Sequence, residues 1–143
     1  MNATEEHATT TPKPVALIVG LDPAGAPDSY FPDDDTSDAV ERGIRELPGA
    51  ADGLGLALDT FLIDRTDDID ARFRQKLAGG DFAIIVIGAG IRLQPALTHL
   101  LETLVNCVRT NSPRSAICFN TGPEDTIEAI RRWWPSLTPV PAL

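Results

Sequence analysis

Cations are scarce in this sequence: Lys and Arg number 12 against 21 Asp and Glu, leaving a formal charge of −9. Such a balance works against non-specific nucleic-acid binding and against an anionic membrane surface, both of which draw on clustered Lys and Arg. Cysteine and histidine are scarcer still. Cys107 and Cys118 form no CxxC pair and have no neighbouring histidine, which argues against a zinc site and against a thioredoxin-like redox pair. His7 falls in a Thr- and Glu-rich leader and His99 on the polar side of a helical pattern, so neither can serve Ser29 as a catalytic base. The G-x-S-x-G nucleophile elbow does not occur. Gly20 and Gly25 have the glycine spacing of a P-loop, but Ala26 and Pro27 stand where Lys and Ser/Thr are required. No apolar run approaches the roughly 18 residues of a membrane span, and no basic segment followed by an apolar one opens the chain. A cytoplasmic protein is the expectation.

What is present is a strand–glycine–helix pattern. Phe82 to Ile87 are apolar without interruption, as in a strand buried on both faces of a parallel sheet. Gly88 and Gly90 follow, then Arg92, then Pro95 at the first position of a helix carrying Leu97, Leu100, Leu101, Leu104, Val105 and Val108 on one face. The same alternation recurs along the chain. Val15–Val19 predicts the first strand. Asp38 and Glu41 fit a capping box for a helix with Val40, Ile44 and Leu47 on its apolar stripe, ended by Pro48-Gly49. Strand two is expected near Leu58–Ile63. Thr66 or Asp67 caps the next helix, which buries Ile69, Phe73 and Leu77 and turns Arg72, Arg74 and Lys76 to solvent, with Gly79-Gly80 as its end. Ala116–Phe119 is strand four. Thr121 or Gly122 caps a last helix, with Pro123 at its first position and Glu124 and Asp125 at its positive end.

Four such units predict an α/β fold: a small doubly wound, three-layer (αβα) parallel sheet in the order 2-1-3-4, flavodoxin-like in outline. Residues 15–134 would form this single domain, 1–14 a disordered leader and 135–143 a proline-bearing tail. Strand order reverses between strands one and three, which places a crevice at their carboxyl ends. Asp22, Gly88, Gly90, Arg92, Asn120 and Thr121 fall there, and the long segment from Ala24 to Thr36 would form a lid over them.

These residues suit a small anionic ligand: a phosphate, a nucleotide or a carboxylate. Glycines let a backbone approach an anion at a helix start, and a guanidinium can hold it in a bidentate way, unless Arg92 pairs internally with Asp22. A dinucleotide fingerprint is incomplete, since Leu93 stands where the third glycine belongs. Asp33-Asp34-Asp35 lacks the spacing of a calcium loop, so no metal and no particular cofactor is assigned. Should the site catalyse, Asp22 would be the base and Arg92 the electrostatic stabiliser. The alternative is an interaction module, with Trp133, Trp134 and the tail as an apolar patch for a homo-oligomer or another protein.

The strings Lys13–Pro23, Val86–Arg92 and Phe119–Thr126 resemble a set of small Rossmann-like proteins with no assigned function. The resemblance implies the same fold over residues 13–134 and points to the same three strand ends, without implying an activity. A receiver domain shares the architecture but requires an acidic pair after strand one, an aspartate after strand three and a later lysine. Here Asp22 stands alone, Gly88 ends strand three and no lysine follows Lys76.

Overall fold

The computed structural model describes residues 13–25 and 34–134, with only the backbone path given for 34–40. The leader to residue 12, the tail 135–143 and most of the expected lid lie outside the described residues. The strands are β1 (Val15–Leu21), β2 (Ala57–Ile63), β3 (Phe82–Ile87) and β4 (Ala116–Phe119). They form one all-parallel sheet in the order β2-β1-β3-β4, as the crossover rule predicts. The helices are α1 (Asp34–Asp52), α2 (Ile69–Ala78), the single turn α3 (Ala89–Arg92), α4 (Thr98–Asn111) and α5 (Thr126–Trp133). No described helix is long and apolar enough to cross a membrane.

Strand alternation divides the core in two. Leu17, Val19, Leu21, Ile85 and Ile87 meet Phe73, Leu77, Leu100 and Leu104 on the α2–α4 face. Ala16, Ile18, Ile84, Val86 and Cys118 meet Leu47, Ala51, Ala129 and Ile130 on the α1–α5 face. β1 and β3 are buried on both sides because each face of the sheet carries helices. Burial pushes the Cys118 thiol up to about 11 and also raises Cys107, beside Asp70, so both are packing groups at neutral pH.

Local expectations are corrected at three places in the chain. α1 begins at Asp34, so Asp38 lies a turn inside it and not at its start. It also runs through Pro48-Gly49 to Asp52, because the extra turn packs Ala51 beside Leu47 on the sheet. Its stop is a Schellman arrangement in which the Leu56 N–H donates to Ala51 O, the Gly55 N–H donates to Asp52 O, and Gly55 has φ 71°. α2 starts at Ile69 behind a left-handed Asp68, and Arg72 is not a free surface cation. Its Nη2 donates to Arg65 O at 2.7 Å and to Asp67 O at 2.8 Å, clamping the loop that enters the helix. Lys76, also expected in solvent, pairs with Asp59 of β2 at 2.8 Å. Finally, helical structure after β3 begins at Ala89, not Pro95. Pro95 opens a 3-10 turn that leads into α4.

Gly49 lies inside α1, is exposed, and a Cβ built on it meets nothing within 4 Å. Gly49→Ala is therefore expected to stabilise the fold by about 0.5–1 kcal/mol through a smaller backbone entropy loss. A higher urea midpoint with an unchanged slope confirms it; a lower midpoint refutes it.

Candidate functional site

Gly20 follows Ala16 and Ile18 on the face toward α1 and α5, where alternation calls for another side chain. Among the described residues, a Cβ built on Gly20 meets nothing within 4 Å. Leu62 is its partner on β2. Gly88 comes one residue beyond the Val19–Ile87 pair on β3, and Asn120 one beyond the Ile87–Phe119 pair on β4. Across the sheet the row thus reads Leu62, Gly20, Gly88, Asn120, with bare backbone in its centre.

That gap is the floor of a cleft of about 70 Å³. Ile44 and Leu47 of α1 form one wall, Pro123 and Thr126 at the start of α5 the other, and Gly43, Gly90 and Gly122 complete the rim. The walls stand close because α1 passes Pro123 at Gly43, where any Cβ would overlap the proline ring. The cleft lies at the carboxyl ends of β1 and β3, where the strand order reverses.

Asn120 ties the cleft together. It is 5% exposed; its Oδ1 accepts from the Ala89 N–H at 2.8 Å and its Nδ2 donates to Thr126 Oγ1 at 3.0 Å. One amide thus joins the start of α3 to the start of α5. The Thr126 hydroxyl in turn donates to Pro123 O. Asn120 was expected to offer its amide to a ligand, but both ends of it are used within the fold.

Of the other expected site residues, Gly88 and Gly90 line this cleft, whereas Asp22, Arg92 and Thr121 are not among its lining residues. Asp22 closes a local turn, accepting from the Ala24 N–H at 2.9 Å, and its own N–H donates to Ile63 O on the β2 side. Arg92 lies toward β4 on the other face of the sheet. Its Nη2 donates to Asn120 O at 3.0 Å, its guanidinium carbon stands 5.6 Å from the Phe119 ring centroid, and its Nε is buried without a hydrogen-bond partner among the described residues. The proposed Asp22–Arg92 pair is not among the ion pairs of the described residues. Thr121 donates its hydroxyl to Asp125 Oδ2 at 2.6 Å.

The Asp125 carboxylate also accepts from the Thr121 and Gly122 N–H groups, which satisfies backbone donors ahead of α5. Burial alone would raise this carboxyl. The hydrogen bonds from Thr121 and Gly122, with the charge of Arg132, outweigh it and hold the group below the ordinary carboxylate range. A depressed pKa contributes stability above the unfolded value and loses it as pH falls through the folded one. Asp125→Ala is expected to cost about 1 kcal/mol at neutral pH, and the difference from wild type should shrink toward about pH 3. Urea unfolding at the two pH values checks this; a pH-independent difference would refute the charge-based account.

The chain matches no protein-family model and no curated protein. The geometry of the cleft therefore carries the functional reading. Among the described residues its lining includes no titratable side chain, only the committed amide of Asn120 and hydroxyl of Thr126. No cluster of three or more His, Cys, Asp or Glu among the described residues could hold a metal ion. Sequence reasoning missed Gly20, Gly43, Ile44, Leu47 and Pro123. The signal for Gly20 was present, since it breaks the alternation of Ala16 and Ile18.

Proposed function

We propose that this protein binds a small anionic ligand at the carboxyl ends of β1, β3 and β4, with the ligand seated on the Gly20–Gly88 floor. The observation that carries the reading is the open space above Gly20, in a row whose outer members, Leu62 and Asn120, carry side chains while Gly20 and Gly88 do not. One feature favours an anion: the described lining holds no carboxylate, in a chain of net charge −9.

The cleft is far smaller than the roughly 300–1,000 Å³ of pockets for drug-sized ligands. That size favours a compact phosphate or carboxylate over a whole dinucleotide. The lining supports binding more directly than catalysis, because it offers no described group for proton transfer.

The test is a thermal-shift screen of small phosphates, nucleotides and carboxylates on wild type, Gly20→Val and Arg92→Ala. A ligand at about 100 times its dissociation constant adds roughly 2.7 kcal/mol, a midpoint rise of about 5–10 °C for a domain of this size. The rise should vanish in Gly20→Val, whose side chain enters the gap, and persist in Arg92→Ala. The reverse pattern would place the anion at the guanidinium on the other face and overturn the cleft reading; a flat screen on wild type would do the same.

The interaction-module alternative retains one observation. Trp133 is 60% exposed, but Trp134 packs against the α1–α5 core and the tail lies outside the described residues.

A further inference from the structure

The two edges of the sheet are unlike. β4 is four residues long, and Arg132 Nη2 donates to Phe119 O at its end at 2.9 Å. β2 is seven residues long, pairs among the described residues with β1 alone, and carries neither lysine nor proline, two of the devices that keep an edge from pairing. The direction of its backbone groups follows from two bonds. The Ala57 N–H donates to Pro14 O and Ile63 O accepts from the Asp22 N–H, so both residues turn toward the β1 side. Alternation then turns Leu58, Thr60 and Leu62 outward. The Thr60 N–H agrees: it meets its neighbour's carboxylate, Asp59 Oδ1, at 2.8 Å, not β1.

We propose that β2 is a homodimer edge, pairing antiparallel with β2 of a second copy across a two-fold axis at Thr60. The outward residues are symmetric about Thr60, so Thr60 faces its own copy and Leu58 faces Leu62 of the partner strand. An isologous contact requires this self-complementarity. Charge fits the same occupant. On a chain of −9, three acidic residues beside this edge have local cations: Asp59 with Lys76 at 2.8 Å, Asp52 with Lys13 at 2.9 Å and Asp64 with Arg65 at 3.8 Å. Two copies therefore meet where these charges are already paired. Beside it, Ile18, Ile44, Leu47 and Leu58 line a groove of about 390 Å³ between α1 and β2, which the facing Leu62 of the partner strand would help cover. The inference does not rest on ligand binding in the glycine cleft.

Sedimentation across a concentration series should show a species of twice the 15.3 kDa chain mass. Thr60→Pro removes an outward N–H and no bond to β1, and Leu58→Lys places a charge on the edge. Each should raise the dimer dissociation constant by about tenfold or more, with circular dichroism unchanged in at least one of them. Thr60→Cys should give a covalent dimer under mild oxidation, since facing hydrogen-bonded residues have Cα atoms about 5.5 Å apart, within disulfide range. The native cysteines are buried and do not compete. A wild-type chain that stays monomeric overturns the proposal. So does a dimer that survives both edge substitutions and fails to cross-link through Thr60→Cys, which would move the contact to a surface such as Trp133.

Discussion

Phe73→Ala is expected to cost about 3–5 kcal/mol, among the larger single losses a domain with roughly 5–15 kcal/mol of total stability can sustain. Phe73 is fully buried on α2, and its ring lies 5.0 Å from that of Phe61 on β2, tilted by 40°. It belongs to the cluster that holds α2 and α4 on one face of the sheet. Truncation removes the ring's transfer free energy and leaves a cavity that the neighbouring strands cannot collapse to fill. The Phe61 contact, of a kind worth about 0.5–1.5 kcal/mol beyond its area, is lost as well. Phe73→Leu keeps most of the volume and should cost less than half as much. Urea unfolding of the pair separates volume from aromatic contact. A loss under about 1 kcal/mol in Phe73→Ala would mean that α2 is held by something other than this side chain.

Phe73 was readable in advance because Ile69, Phe73 and Leu77 recur at helical spacing, and all three are buried. The strands were legible for a related reason. Uninterrupted runs such as Phe82–Ile87 have no polar face, so only a sheet covered on both sides can take them, and the handedness of crossovers orders the rest. Reading failed where a local signal competed with packing. Pro48-Gly49 is a strong stop, yet burial of Ala51 carries α1 past it to the left-handed Gly55. The partners of Arg72 and Arg92 were not legible for a different reason. A long side chain's partner depends on loops folded from distant sequence, here the carbonyls of Arg65 and Asp67 and that of Asn120. The floor of the cleft was half legible. Gly88 and Gly90 stood out as a turn, whereas Gly20 was weighed only for its P-loop spacing and not as a gap in the strand's alternation. The walls, set by the approach of α1 to Pro123 at Gly43, left no local mark.

Asn120→Ala tests whether that cleft is built or incidental. The substitution removes the acceptor of the Ala89 N–H and the donor to Thr126 Oγ1, two partners supplied by one side chain that is 5% exposed. An unsatisfied buried group costs about 1–3 kcal/mol, and Thr126 keeps its bond to Pro123 O, so a loss of roughly 2–3 kcal/mol is expected. The Arg92 bond is made to the main-chain oxygen of residue 120 and should survive, which confines the effect to the cleft side of the sheet. Hydrogen exchange resolves the outcome. The Ala89 amide should lose protection in the variant, while the amides of β3, paired on both sides with β1 and β4, should keep theirs relative to the lowered global stability. Uniform loss across the sheet would make Asn120 an ordinary core residue. Selective opening at Ala89 would show that it holds the two helix starts together over the Gly20–Gly88 floor, and that the open space there depends on this one amide.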